Sequence, residues 1–170
     1  MSGLKFRWSL TLDKWDKAHL EVAKTYAKLS SARRMKVGCV IVKDNRIISI
    51  GYNGMPSGWD NNCEDEIKSG NTGYGRKLKT KKEVLHAEAN AITKVAKSTE
   101  SAEGAILYST CAPCIDCAKL IHQAGIERVV YDHGYKSDEG LTFLEQCGIV
   151  LETTEDADPF DLPWKRSLIP

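Results

Sequence analysis

The sequence predicts an α/β fold: a central five-stranded mixed sheet flanked by helices. Three observations carry that expectation. Two short apolar runs flank Lys43-Asp44-Asn45, as in an antiparallel hairpin. Beyond residue 83, helical and strand-like segments alternate, which implies strands joined by crossover helices. A helical segment separates the last two strands. A direct hairpin would not need it, so those two strands should run parallel.

Each element has its own signal. Residues 11–29 place Trp15, Leu20, Val22, Ala23, Tyr26, Ala27 and Leu29 at a mostly helical spacing. Residues 37–42 form a short run rich in β-branched side chains, and residues 46–52 are apolar again. Residues 53–82 open with the turn chemistry of Asn53-Gly54-Met55-Pro56-Ser57-Gly58. They continue as a polar stretch with Gly70, Gly73 and Gly75, and a long loop, functional or disordered, is expected there. Residues 83–97 read as a helix with Val84, Leu85, Ala89, Ile92 and Val95 on its buried side. A strand follows at 105–109, then a helix at 114–124 that ends at Gly125, a natural C-cap. Residues 127–131 read as a strand, 137–146 as a helix and 149–152 as the last strand, so the expected order is α-β-β-α-β-α-β-α-β. No repeat or low-complexity segment interrupts it. The expectation is one domain over residues 1–170, with a core at about 11–152. The tail, 153–170, holds three prolines and is expected to lie irregularly on the surface.

Composition narrows the function. A chain of 170 residues with a 42% hydrophobic fraction suits one full-sized core. Charges nearly balance, 24 basic against 23 acidic, for a net of +1. A binder of long nucleic acid would carry a larger basic surface, whereas a small anion needs only a local basic cluster. No apolar run of about 18 residues occurs, so no membrane span is expected. Met1 to Leu12 lacks the apolar core of a secretory signal. Of six cysteines, Cys111, Cys114 and Cys117 crowd into seven residues, and Cys39, Cys63 and Cys147 lie apart. Without a secretory signal that pattern favours metal binding over disulfides, and a reducing, cytoplasmic setting is expected.

The chemistry concentrates at two helix starts. His86-Ala87-Glu88 opens one, and Pro113-Cys114-Ile115-Asp116-Cys117 opens the next. One imidazole and two thiolates leave a fourth zinc position open, the form of a catalytic rather than a structural site. Cys114 and Cys117 are three apart and share a helix face. The unpaired N–H groups of a first turn favour thiolate there, and Pro113 costs nothing at a helix start. His86 and Glu88, two apart, would point about 200° from each other inside a helix. They can serve one centre only if it lies off the helix end, so two helix N-termini are expected to meet at the metal. Cys111 stands open as a fourth ligand that would close the site, and so do His19, His122 and His133.

His-x-Glu followed by Pro-Cys-x-x-Cys resembles the signature of zinc nucleobase deaminases. Over about residues 11–152 the chain is similar to the cytidine/deoxycytidylate deaminase family, and within it to the deoxycytidylate deaminases of phage or bacterial type. The residues that carry this are Lys36 to Val42, Gly51 to Gly58, His86-Ala87-Glu88-Ala89-Asn90-Ala91-Ile92, Cys117-Ala118-Lys119-Leu120-Ile121 and Ala124-Gly125-Ile126.

The resemblance implies a cytidine-deaminase-like three-layer sandwich and the hydrolysis of dCMP to dUMP and ammonia, which supplies thymidylate synthesis. His86, Cys114 and Cys117 would hold zinc, whose bound water drops in pKa from 15.7 to about 7. Glu88 would move protons from that water to ring N3 and to the leaving amine. The Ala87 N–H would donate to the base's O2, Asn53 would hold the 3′-hydroxyl, and Tyr131 would flank C5. Arg34 is the first choice for the phosphate, ahead of the basic residues of 76–82. The resemblance further implies activation by dCTP, inhibition by dTTP and a homo-hexamer. The effector site would lie at Gly51, Tyr52, Asn53, Gly54, Met55, Pro56, Gly58 and parts of 59–64, with room for Mg²⁺ on the effector triphosphate. Between Trp59 and Lys82 the sequence departs from the family pattern, and Cys63 there reads as a free loop thiol. The rivals are deaminases of adenosine in transfer RNA or of free cytosine, and a non-enzymatic module stabilised by zinc.

Overall fold

At Asp44 and Asn45 the backbone turns through φ of 50° and 58°. Two successive left-handed residues make the tight turn whose twist matches a hairpin. It joins β1 (Gly38–Lys43) to β2 (Arg46–Tyr52), antiparallel, with a bulge where the register shifts between Ile41 and Val42. The computed structural model that shows this describes residues 12–68 and 76–154.

The other edge of β1 pairs antiparallel with β5 (Ile106–Cys111). β5 runs parallel to β6 (Arg128–His133), and β6 parallel to β7 (Val150–Thr153). The five strands stand in the order β2-β1-β5-β6-β7. The mixed sheet and the parallel last pair are as the sequence predicts.

Alternation along the strands builds a layer on each face. Val40 and Val42 of β1 join Tyr108 and Val130 beneath α1 (Lys14–Ala27), whose Leu20 and Ala23 face them. Cys39 and Ile41 point the other way, into the larger core. There they meet α2 (Ala87–Val95), α3 (Ile115–Gln123) and α4 (Glu139–Gln146) through Ala91, Ala118, Ile121 and Leu144. The result is a three-layer α/β/α sandwich. Two glycines are demanded by this packing. A Cβ on Gly38 would stand 1.9 Å from the Ala23 carbonyl oxygen, and one on Gly51 would stand 2.1 Å from that of Ala87.

Residues 53–82 are not one long loop. They contain a separate hairpin of β3 (Glu64–Lys68) and β4 (Arg76–Thr80), with Glu64 opposite Thr80. Its strands, Glu-Asp-Glu-Ile-Lys and Arg-Lys-Leu-Lys-Thr, carry almost no apolar alternation. One opposite-charge pair, Asp65 with Lys79, faces across it. The helix before the Cys segment also starts later than 83. Leu85 lies outside it, exposed, and bridges to Gly54. The proline-bearing tail from 155 onward lies outside the described residues. Among the described residues no helix is long and apolar enough to cross a membrane.

Candidate metal centre and active site

His86 is the N-cap of α2, with extended backbone (φ −75°, ψ 156°), and Cys114 is the N-cap of α3 (φ −72°, ψ 169°). Both stand just outside their helices, which resolves the angular problem between His86 and Glu88. The extended cap turns the imidazole back toward the helix end, while Glu88 sits in the first turn. Cys117 lies in the first turn of α3, and Pro113 falls one residue before the cap. Gly140 is needed where α4 crosses this corner, since a Cβ there would meet the Pro113 carbonyl oxygen at 2.1 Å.

The His86 Nδ1 is 3.4 Å from Cys114 Sγ and 3.5 Å from Cys117 Sγ. All three donor atoms lie within 4.8 Å of one another. Tetrahedral zinc with Zn–S of about 2.3 Å and Zn–N of about 2.0 Å puts such donors roughly 3.5–3.8 Å apart. The donor set and its spacing therefore fit zinc. The two sulfurs divide one proton between them. The Cys117 thiol bonds to Cys114 and, with help from His86 and against burial, holds it well below the ordinary thiol range. The same bond and burial hold Cys117 well above the ordinary thiol range. His86 is raised by its bond to Cys114, against burial.

No fourth side-chain ligand joins the cluster among the described residues. Cys111 points its thiol at the Gly134 carbonyl, 3.5 Å away, and burial holds it protonated. His19 meets Asn45 at 3.1 Å, His122 packs edge-on against Phe143, and His133 lies by Asp132. The open form is the one that leaves room for a reacting water.

A cleft of about 480 Å³ opens over the centre. Its floor is His86, Ala87, Glu88 and Cys114. Glu88 is 3% exposed, and burial raises its carboxyl above the ordinary range, partly offset by His86. Asn53 lines one wall with both ends of its amide in use: Oδ1 accepts from the Val37 N–H at 2.8 Å, and Nδ2 donates to the Met35 carbonyl at 2.8 Å. Arg34, Lys79, Lys81, Lys82 and Lys136 form a cationic rim. Tyr131, expected beside C5, lies buried in β6 and pairs across the sheet with Ser109; it is not among the cleft-lining residues. The lining aromatic is Tyr135, four residues on. Tyr135, Lys136 and Glu64 are lining residues that sequence reasoning missed. The signal for the first two is the turn chemistry around Gly134, beyond the carboxyl end of a parallel strand, where α/β sheets hold their ligands.

The expected effector segment abuts this wall. Gly51 is forced by α2, not by a ligand. Tyr52 carries the Lys94 ammonium 5.6 Å above its ring. The Asn53 N–H donates to the Val37 carbonyl, and Gly54 exchanges two backbone bonds with Leu85. Met55 and Pro56 are half-buried and lead to Gly58, whose φ of +86° shapes a turn. Amides freed for phosphate are therefore not what glycine supplies at 51 and 54. Cys63 is a free thiol as expected, but buried, with Ser31 Oγ at 3.4 Å.

An α/β/α sandwich with a three-ligand metal centre and a buried carboxyl at two helix N-termini defines a class of metal-dependent proteins with an open coordination position. Residues 13–133 match the model of the cytidine and deoxycytidylate deaminase zinc-binding region, and the chain belongs to that family. It is 37% identical over 140 residues to the deoxycytidylate deaminase of Schizosaccharomyces pombe, covering 81% of this chain and 43% of that protein. It is 34% identical over 180 aligned positions to the deoxycytidylate deaminase of Enterobacteria phage T4, covering 86% of this chain and 93% of that one. The dCMP deaminase of cyanophage S-TIM5, solved in complex with dCMP and dUMP, superposes with a TM-score of 0.73 at 38% identity. That match covers 85% of this chain and 99% of the other. The chain spans less than half the length of the two yeast relatives, 43% and 44%.

Proposed function

We propose that this protein hydrolyses the exocyclic amine of dCMP, giving dUMP and ammonia for thymidylate synthesis in the cytoplasm. The observation that carries the reading is a buried Glu88 carboxyl beside a three-ligand metal centre at the floor of a cation-rimmed cleft. His86, Cys114 and Cys117 would hold zinc, which would supply an acidified water with a pKa of about 7.

The chain's own groups do the rest. Glu88 takes the first proton of the attacking water and passes it to ring N3. It then takes the second from the hydroxyl added at C4 and delivers it to the amine, which leaves as ammonia as the C4 carbonyl forms. Burial suits it to hold a proton between transfers. The Ala87 N–H, in the first turn of α2, has no intrahelical acceptor and donates to the base's O2. Asn53 Oδ1 keeps a second lone pair and Nδ2 a second hydrogen for the 3′-hydroxyl. Arg34 meets the phosphate, with Lys79, Lys82 and Lys136 on the rim. Tyr135 takes the place beside the base that the resemblance gives to Tyr131.

By the same resemblance, dCTP activates and dTTP inhibits at residues 51–58, with Mg²⁺ on the triphosphate, in a homo-hexamer. The continuity of this segment with the cleft wall through Asn53 supports such a coupling. The test is ammonia release by zinc-replete protein from dCMP, deoxycytidine, cytosine and adenosine-containing RNA, each with and without dCTP or dTTP. The expected result is turnover of dCMP that rises with dCTP and falls with dTTP. Turnover of cytosine or RNA in its place overturns the reading.

A further inference from the structure

The β3–β4 hairpin brings into the cleft a carboxylate that the reaction above does not use. Glu64 is 1% exposed and lines the cleft beside Arg34 and Thr80. Its negative charge works against an anionic substrate, so its place there calls for another task. Its oxygens face backbone: the Arg33 N–H donates to both, at 3.1 and 3.2 Å, and the Arg34 N–H donates to Oε1 at 3.2 Å. The Arg33 side chain is taken up by the hairpin's acids, with Nη1 3.1 Å from Glu66 Oε1 and Nε 3.7 Å from Glu64 Oε2. The Arg34 guanidinium has no carboxylate partner among the described residues, and its Nη1 donates to Thr80 Oγ1 at 3.0 Å. Glu64 and Thr80 are direct cross-strand partners. One rung of the hairpin therefore holds Arg34 at both ends, main chain and guanidinium.

We propose that Glu64 is a positioning residue, whose carboxylate locks the Arg33-Arg34 main chain so that Arg34, steadied by Thr80, meets the 5′-phosphate of the substrate. The inference rests on the nucleotide reading above and deepens it. Arg33 balances the acids of the hairpin, and Arg34 is left with its charge for the ligand. Fixing a long cationic side chain before binding removes part of the ordering cost that binding otherwise bears.

The test compares dCMP with deoxycytidine on the full, zinc-loaded chain, for the wild type, Glu64→Ala, Glu64→Gln, Arg34→Ala and the Arg34→Ala/Glu64→Ala double variant. Glu64→Ala should raise KM for dCMP about tenfold with a much smaller change in kcat, and lower the preference for nucleotide over nucleoside by the same factor. Glu64→Gln keeps an acceptor for both amides and should restore most of that preference. In the Arg34→Ala background, Glu64→Ala should add less than about twofold, because both act through one group. Equal losses on nucleotide and nucleoside, or single effects that multiply in the double variant, overturn the proposal. Should Glu64→Ala fail to fold, Thr80→Val decides: it frees only the guanidinium, and an unchanged preference overturns the proposal. Calorimetric affinities for dUMP against deoxyuridine read the same preference without turnover. A wild type that binds but does not turn over dCMP would sink the deaminase reading, while the binding comparison would still decide on Glu64.

Discussion

Glu88 and Cys111 have ordinary neighbours in sequence and opposite fates in space. Glu88 lies in the first turn of α2, at the floor of the cleft beside Cys117, and its carboxyl is raised by burial. Substituting Glu88→Ala should leave one zinc per chain, measured by metal analysis. It should cut turnover by about 10²- to 10⁴-fold, the span general acid–base groups supply. Cys111 sits only three residues before Cys114, but its thiol is directed at Gly134. Cys111→Ser should therefore keep the metal, and Cys114→Ser should lose it. A Cys111→Ser protein without zinc would return the site to the closed, structural form.

Among the elements, those with apolar periodicity were legible and the one built on charge was not. The hairpin turn at Asp44-Asn45, the β-branched β1 and the helix ending at Gly125 each carried a local signal that the fold honours. β3 and β4 carried none, because eight of their ten residues are polar or charged and Ile67 and Leu78 alone make no apolar alternation. Their contribution to the cleft, Glu64 and Thr80, was hidden for the same reason. The Cys helix starts one residue later than expected because a ligand at an N-cap looks, in sequence, like the first helical residue. α2 starts at Ala87, not 83, because Val84 and Leu85 have helical spacing but lie before the cap, where Leu85 bridges to Gly54. Gly38 and Gly51 belong to this scale as well. Each lets a helix lie against a strand, and Gly38→Ala or Gly51→Ala should cost about 1–3 kcal/mol of stability in denaturant titrations.

α1 is tied to the sheet by an ionic cluster. Asp16 accepts from the Tyr108 hydroxyl at 2.8 Å and from Arg128 at 2.7 and 2.8 Å, and Arg128 also pairs with Glu152. Burial acts to raise the Asp16 carboxyl, but the Arg128 and Tyr108 bonds prevail and hold it below its ordinary range. A carboxyl lowered on folding stabilises above its unfolded pKa of about 3.9, and that stabilisation fades as pH falls through the lower folded value. The melting-temperature gap between wild type and Asp16→Asn should therefore be widest above about pH 5 and shrink toward pH 3. A gap that widens in acid would contradict the assignment.

For the molecule as a whole, the metal centre lies at one end of the sheet and the two cores lie behind it. Leu107, Val129, Ile121 and Leu144 are fully buried in the larger core, which is built of apolar side chains from the sheet and helices. Removing zinc with a chelator should abolish turnover, leave the far-ultraviolet dichroism of the sandwich largely in place, and lower the melting temperature. The cluster of His86, Cys114 and Cys117 was readable in sequence because two short motifs carry it. The cleft was less so, since its rim gathers Arg34, the 79–82 segment and Lys136 from three distant stretches of chain. The most direct measurement is the conversion of dCMP by the zinc-replete wild-type chain, with ammonia and dUMP quantified together. We expect one ammonia per dUMP, and loss of both in Glu88→Ala with its zinc intact. Stoichiometric zinc with no ammonia from any cytosine nucleotide would contradict the function proposed for this site.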